Sequence, residues 1–503
     1  MPIIKTPTDT PLADRRFEAP DWQQWPYSFM AQSFLAQQQA WHEATIKVQG
    51  LSSHQSQLLT FSVRQVLDML SPSNFLWSNP EALNTGLKTG GASLWKGALN
   101  RQQDMLRLLS GSPVPGTELF RPGKEVALTP GKVVFRNHLM ELIQYAPQTD
   151  TVFAQPVLIV PSWILKYYIL DLSPHNSLVR FLVEKGHTVF IVSWKNPDVS
   201  DRDIGMDDYL KSGVMGAVNA VSELMPERKI QAVGYCLGGT LLAMAAAFMA
   251  RQNDDRLNSL SLLASELDFT EPGELGLFID ALQLALLDKS MAHKGYLDGK
   301  QMAGAFSLLN SRDLVWSRME RNYLLGKRDN VTDLSAWNAD ATRMSYRQHS
   351  EYLRRLYLNN DLAAGRCLVD DIPISLADIR VPVFALGTLR DTVSPWQSVF
   401  KVHQLMRTEI TFCLTSGGHN VGIVNPPLAG GRHSFQIRTH GQASHYIAPE
   451  AWVQAAPVVN ESWWPAWHNW LMTHTDKRLK PPTMGGSHQT VMEDAPGLYV
   501  LTP

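Results

Sequence analysis

A chain of 503 residues, 44% of them hydrophobic and with a formal net charge of −2, has the material for a large buried core. That balance excludes an intrinsically disordered chain and leaves no electrostatic footprint for nucleic acid. Its three cysteines, Cys236, Cys367 and Cys413, are too few for a disulfide framework and lack metal-ligand spacing, so neither a metal nor a cofactor is expected. The segment Met1-Pro2-Ile3-Ile4-Lys5-Thr6-Pro7 has no apolar signal core, and no uninterrupted apolar run is long enough to span a bilayer. The expected location is the cytoplasm, with no transmembrane segment.

To about Ser110 the chain reads as helical. Leu59, Val63, Val66, Leu67 and Leu70 recur at helical spacing, and Ser71-Pro72-Ser73-Asn74 stops that helix. The aromatic residues Trp22, Trp25, Phe29, Phe34 and Trp41 are expected to be buried, with a surface facing a partner as the alternative. Gly111-Ser112-Pro113-Val114-Pro115-Gly116 is the linker. A hairpin follows, Lys132 to Phe135 and Met140 to Tyr145. Strand-like runs come next at Pro156–Val160, His187–Ser193, Lys229–Val233 and Leu257–Ala264, with helical segments between most of them. This alternation predicts a mostly parallel sheet with crossover helices. Helical, aromatic-rich sequence interrupts the sheet between Asp268 and about Leu376, where a cap is expected, and the sheet resumes at Val381. Trp463, Trp464, Trp467 and Trp470 read as one packed terminal helix.

The chemistry is concentrated where Lys229–Val233 runs into Gly234-Tyr235-Cys236-Leu237-Gly238-Gly239, followed by the strong helix former Thr240–Ala247. Strand, tight turn and helix around G-x-C-x-G form a nucleophile elbow, with sulfur where the usual box carries a serine hydroxyl. A Gly-rich turn around a buried, inert cysteine would leave the same residues, so the downstream context decides. An elbow enzyme needs an acid and then a histidine, each just after a strand. Val381–Gly387 is followed by Thr388-Leu389-Arg390-Asp391, and Ile410–Thr415 by Ser416-Gly417-Gly418-His419-Asn420. Cys236, Asp391 and His419 therefore stand in the elbow order. The expected fold is an α/β-hydrolase with a mostly parallel central sheet. Its expected division is a helical N-terminal domain over 1–115 and a catalytic domain over 116–503, with a cap inserted at about 268–376.

Further strings point to one family. They include Asp14-Arg15-Arg16-Phe17, Ser71-Pro72-Ser73-Asn74-Phe75, Asn79-Pro80-Glu81 and Val160-Pro161-Ser162-Trp163-Ile164-Leu165-Lys166-Tyr167-Tyr168-Ile169-Leu170-Asp171-Leu172. Ser193-Trp194-Lys195-Asn196-Pro197, Trp337-Asn338-Ala339-Asp340, Asn359-Asn360, Ser462-Trp463-Trp464-Pro465 and Ala495-Pro496-Gly497-Leu498-Tyr499-Val500 complete the set. On these residues, nearly end to end, the chain resembles the polyhydroxyalkanoate synthases, in particular the single-subunit class I (poly-3-hydroxybutyrate) type. The Lys-Tyr-Tyr-Ile-Leu-Asp-Leu string is far more specific than the elbow. The resemblance implies an acyltransferase that polymerises (R)-3-hydroxyacyl-CoA with release of CoA. It also implies a growing polyester chain as partner, a homodimer, and association with the surface of polyester granules. Two positions depart from the family pattern: Ser162 stands where a second proline is usual, and Thr392 where a histidine follows the acid. Neither removes a member of the triad.

The same residues dictate a mechanism. A cysteine of ordinary pKa is mostly thiol at pH 7, so His419 must take its proton while Asp391 fixes the imidazole tautomer. Thiolate attack on a CoA thioester exchanges one thioester for another and keeps the acyl group activated. A hydroxyl of another monomer or chain end then accepts it, again with His419 as base. The oxyanion needs two backbone donors: the N–H of Leu237, and one from the loop after Pro156–Val160. Pro161 has no N–H, so Trp163 is favoured and Ile164 is next. Val421, two residues beyond His419 in a loop taken as extended, would face the acyl pocket and limit chain length. The competing functions are a thiol-dependent hydrolase (acyl-CoA thioesterase or intracellular polyester depolymerase) and a non-enzymatic granule-surface protein.

Overall fold

In the computed structural model the described residues are 14–46, 48–299, 301–302, 304, 311–328, 330–428, 433–486 and 491–502. The chain divides into two units: Met1–Pro115 with Met302–Val331, and Gly116–Gln301 with Thr332–Pro503.

The first unit is helical, with α1 at Tyr27–Ile46, α2 at Ser53–Met69, α3 at Pro80–Lys88 and α4 at Ala92–Ser110. A capping box starts α2: the Ser52 hydroxyl accepts from the Gln55 N–H while the Gln55 side chain accepts from the Ser52 N–H. Residues 311–328 belong to this unit because they lie directly on α4. Gly97 leaves the room, since a Cβ there would stand 1.9 Å from the Tyr323 carbonyl oxygen, and the Asn100 amide donates to the Asn322 carbonyl at 2.9 Å. Phe17, Trp22, Ala31 and Phe34 form a small core, with the Phe17 and Trp22 rings edge to face at 4.7 Å.

The expected burial of the N-terminal aromatics holds only for Trp22 and Phe34. Trp25 is 84% exposed, Phe29 64% and Trp41 52%. At 3.6 residues per turn Phe29 falls on a different side of α1 from Ala31 and Phe34, and Trp41 lies about two turns beyond that core. Aromatic content alone does not say which helix face has a partner.

In the second unit the strands are β1 (Gly131–Arg136), β2 (Met140–Tyr145), β3 (Val157–Val160), β4 (Val189–Trp194), β5 (Ile230–Tyr235), β6 (Leu257–Leu263), β7 (Val383–Thr388), β8 (Ile410–Thr415), β9 (Phe435–His440) and β10 (Val458–Val459). They form one sheet among the described residues, in the order β1-β2-β4-β3-β5-β6-β7-β8-β9-β10. The run from β4 to β8 is parallel, and the strands on either side pair antiparallel. The expected hairpin and parallel strands are all present, each within a few residues of its expected bounds. The antiparallel edge of β9 and β10 was not anticipated.

Register aligns the carboxyl ends of the central strands. Val160 pairs with Gly234, Tyr235 with Leu263, and Thr388 with Thr415. The loops after β3, β5, β6, β7 and β8 therefore leave the sheet at one end, where open α/β sheets place their ligands. Helix α5 spans Leu178–Glu184, α6 Gly216–Leu224 and α7 Leu237–Arg251. Leu237 to Met249 are all buried, so α7 is a central helix enclosed on every side. Helix α8 spans Ala281–Lys294, α9 Tyr346–Tyr352 and α10 Trp464–Thr473. Trp463, Trp464, Trp467 and Trp470 are buried, as the packed terminal helix required. The closing segment docks through the backbone: the Leu498 and Tyr499 N–H groups each donate to the buried Glu141 carboxylate at 3.0 Å. No helix among the described residues is long and apolar enough to cross a membrane.

Candidate active site

Cys236 sits between β5 and α7 at φ 55°, ψ −132°, a left-handed conformation that a non-glycine residue holds only under strain. The glycines around it are sterically required. A Cβ on Gly234 would lie 2.2 Å from the Gly239 Cα, and one on Gly238 2.3 Å from the Val160 carbonyl oxygen and 2.4 Å from that of Pro161. Strand, helix and the loop after β3 thus meet backbone to backbone at the elbow. The Cys236 N–H donates to the Leu263 carbonyl at 2.9 Å.

Asp391 follows β7 and is held at both oxygens. Oδ1 accepts from the Val393 and Ser394 N–H groups at 2.9 Å each, and Oδ2 from the Thr388 hydroxyl at 2.9 Å. The remaining bond runs from His419 Nδ1 to Asp391 Oδ2 at 2.8 Å. An ionised carboxylate only accepts, so Nδ1 carries a proton and Nε2 is the nitrogen left for the thiol. Nε2 is buried with no hydrogen-bond partner among the described residues. Burial alone would raise the Asp391 pKa, but His419 and the backbone donors outweigh it and hold it below the ordinary carboxylate value. Burial alone would lower His419; Asp391 and the nearby Cys236 sulfur raise it well above the usual imidazole value instead. The other two thiols are held protonated by burial, Cys367 at about 11 and Cys413 well above its usual value. The structure thus brings Cys236, Asp391 and His419 into one cluster.

The histidine loop is a tight turn. The Gly422 N–H donates to Gly418 and the Ile423 N–H to Asn420. It is pinned from the far end of the chain: the Trp463 indole N–H donates to the Gly422 carbonyl at 2.9 Å and that of Trp464 to Ile423 at 3.0 Å. The Tyr235 ring stacks on His419 at 5.7 Å, and its hydroxyl donates to Asn420 Oδ1 at 2.7 Å. From the sequence the Trp463-Trp464 pair is expected only to pack; its hold on the histidine loop leaves no local signature, because the bonds span about forty residues. The turn also removes the premise for Val421: the loop is not extended, and the Val421 side chain is 51% exposed.

The loop after β3 carries Trp163 and Ile164. It is fastened by the Trp194 indole to the Pro161 carbonyl at 2.8 Å and by the Trp337 indole to the Lys166 carbonyl at 2.8 Å. Lys166 pairs with Asp340 and donates to the Val500 carbonyl, each at 2.8 Å, and the Tyr168 hydroxyl donates to Asp340 at 2.9 Å. These contacts explain why Lys166-Tyr167-Tyr168 and Trp337 to Asp340 belong to one pattern. The main-chain N–H groups of Leu237, Trp163 and Ile164 have no partner among the described residues, and the contact of Gly238 with Pro161 brings their two segments together. Ser162 is fully buried, and its hydroxyl has no partner among the described residues. Among the described residues there is no group of acidic, histidine and cysteine side chains that could hold a metal ion.

Known proteins match the chain at both levels. Residues 13–182 match the family model described as "Poly-beta-hydroxybutyrate polymerase (PhaC) N-terminus", and residues 155–426 match the α/β-hydrolase fold. The "Poly(3-hydroxyalkanoate) polymerase" of Methylorubrum extorquens is 40% identical over 502 residues, covering 99% of this chain and 82% of that protein. The "Poly(3-hydroxyalkanoate) polymerase subunit PhaC" of Rhizobium etli is 36% identical over 97% of this chain and 76% of its own length. The protein of the same name from Cupriavidus necator is 36% identical over 97% and 83%. With the α/β-hydrolase sheet and an elbow cysteine already in place, this chain belongs to the poly(3-hydroxyalkanoate) polymerase family.

Proposed function

We propose that this chain polymerises (R)-3-hydroxyacyl-CoA into polyhydroxyalkanoate through a covalent acyl group on Cys236. The observation that carries the mechanism is the imidazole of His419, held by Asp391 at Nδ1 with Nε2 unpartnered and the Cys236 sulfur near enough to act on it. Nε2 takes the thiol proton, and the thiolate attacks the thioester carbonyl. The carbon–sulfur bond to CoA breaks, and CoA leaves with the proton from His419. A hydroxyl of the chain end or of a second monomer then gives its proton to Nε2 and attacks the Cys236 thioester. An ester forms and the thiol is restored. The N–H groups of Leu237 and Trp163 stabilise the oxyanion in both halves. Val421, half exposed and two residues beyond His419, is assigned to the rim of the acyl entrance.

Within the insertion after β6, residues 268–299 and 332–376 of the second unit are assigned the cap that keeps water from the acyl-enzyme. We place the enzyme in the cytoplasm at the polyester granule surface, as a homodimer. Large apolar side chains exposed on the helical unit, among them Phe29, Trp77, Trp95 and Leu109, suit an apolar polymer surface.

The test is a CoA-release assay with (R)-3-hydroxybutyryl-CoA followed by isolation of the product. Insoluble polyester with stoichiometric CoA supports the reading. Free 3-hydroxybutyrate in its place identifies a hydrolase, and no CoA release identifies a non-enzymatic surface protein.

A further inference from the structure

Outside the triad, Glu266, Tyr352 and Tyr357 come together near the elbow; Glu266 and Tyr352 are buried and Tyr357 is half-buried. Glu266 stands three residues past the Tyr235–Leu263 pairing of β5 and β6. Its backbone carbonyl accepts from the Thr240 hydroxyl at 2.7 Å, which ties it to the first turn of α7 behind the nucleophile. Tyr352 ends α9 and Tyr357 follows; their rings meet edge to face at 5.3 Å. Trp163 packs edge-on against Tyr352 at 6.0 Å, and Phe269 packs tilted against Tyr357 at 4.8 Å. The wall is therefore aromatic, with the two hydroxyls and the carboxyl as its polar groups. Both hydroxyls lie within electrostatic range of the Cys236 sulfur and of the Glu266 carboxyl.

The Glu266 carboxyl is unfinished. Oε1 is buried and accepts no hydrogen bond among the described residues. Burial, helped by Asp391 and Asp268, pushes its pKa well above the usual carboxyl value, against the opposing pull of Ser398 and Lys401. A neutral carboxyl can both donate and accept. A buried polar atom left open calls for an explanation.

The substrate supplies one. When a 3-hydroxyacyl group is joined to Cys236, its carbonyl oxygen goes to the backbone donors of Leu237 and Trp163. Its one remaining polar group is the hydroxyl two carbons further on, a few ångströms from the sulfur. We propose that Glu266, with the Tyr352 and Tyr357 hydroxyls beside it, receives that 3-hydroxyl and makes this chain select hydroxyacyl over plain acyl thioesters. The assignment rests on the polymerase reading above. It adds a specificity residue that the triad does not contain.

The experiment compares the second-order rate constant of the first CoA release for (R)-3-hydroxybutyryl-CoA and for butyryl-CoA, which acylates the thiol and offers no hydroxyl. Wild type favours the hydroxylated substrate. Glu266→Leu, which fills the site with an apolar side chain, lowers that ratio by about 10- to 100-fold through loss on the hydroxylated substrate alone. Glu266→Gln, which still donates and accepts, stays within about threefold of wild type. Tyr357→Phe removes a single oxygen and lowers the ratio in the same direction, so the idea stays testable if the leucine variant fails to fold. A ratio unchanged within about twofold in folded Glu266→Leu or Tyr357→Phe overturns the subsite, since a merely structural role slows both substrates alike. Wild type that releases no CoA from either thioester overturns the polymerase reading, and the subsite with it.

Discussion

Trp463, Trp464 and Trp467, behind the catalytic end of the sheet, are buried and spend their indole N–H groups on Gly422, Ile423 and Ser261. In the helical unit Phe29, Trp41, Trp77 and Trp95 stand largely in solvent. The same residue class does different work in the two regions. Near the triad, aromatic mass fixes the path of a loop that must hold an imidazole to within fractions of an ångström. On the helices it adds little to the interior. Substitutions in the first region should therefore cost catalysis, and those in the second should spare it.

The largest effect falls on the relay itself. Asp391→Asn should lower steady-state CoA release by about 10³- to 10⁴-fold with the fold intact. It should also move a pH profile. The base works only when neutral, so activity rises with pH as His419 loses its proton, and Asp391 holds that proton on to higher pH. Removing the charge lowers the His419 pKa, and the rising limb of the residual activity should shift to lower pH. A limb that stays in place would mean another group sets it.

Next comes the elbow. Gly234→Ala puts a methyl 2.2 Å from the Gly239 Cα, a backbone atom that cannot swing away. Strand and helix must part, at a cost of about 1–3 kcal/mol in unfolding free energy and about 10²-fold or more in CoA release. Activity close to wild type would show that the elbow tolerates displacement.

A smaller effect is expected one layer out. Trp463→Phe keeps most of the packing and removes the bond to Gly422, for about 1 kcal/mol of stability. CoA release should fall by about tenfold through a looser histidine, which sharpens the difference between packing and positioning. Smallest of all, Phe29→Ser combined with Leu109→Ser should leave unfolding within about 0.5 kcal/mol of wild type and CoA release unchanged, while retention on polyester particles drops. Lost CoA release in that double variant would break the contrast between the two regions.

Much of the sheet and the site was legible because its signals are local. Short apolar runs gave β3 to β8, and Cys236, Asp391 and His419 could be picked out because each follows such a run on a Gly-containing loop. The edge strand β9 was not legible: in Phe435–His440 burial lapses along Gln436 to His440, and polar residues fill most positions. Residues 311–328 gave no sign that they pack on α4, since that association depends on Gly97 admitting the Tyr323 backbone far along the chain. The extended path expected for the loop at Val421 fails because strand alternation does not apply to a turn. Glu266 passed unnoticed because a lone carboxyl after a strand looks like any solvated loop acid until its burial is known.

The central claim is that the acyl group passes through Cys236. Rapid quenching of the enzyme during turnover of (R)-3-hydroxybutyryl-CoA, followed by peptide mass spectrometry, tests it directly. The account predicts hydroxybutyryl mass on the peptide containing Cys236, none on those containing Cys367 or Cys413, and neither adduct nor CoA release in Cys236→Ala. Sustained CoA release by Cys236→Ala, or an adduct confined to another residue, would contradict it.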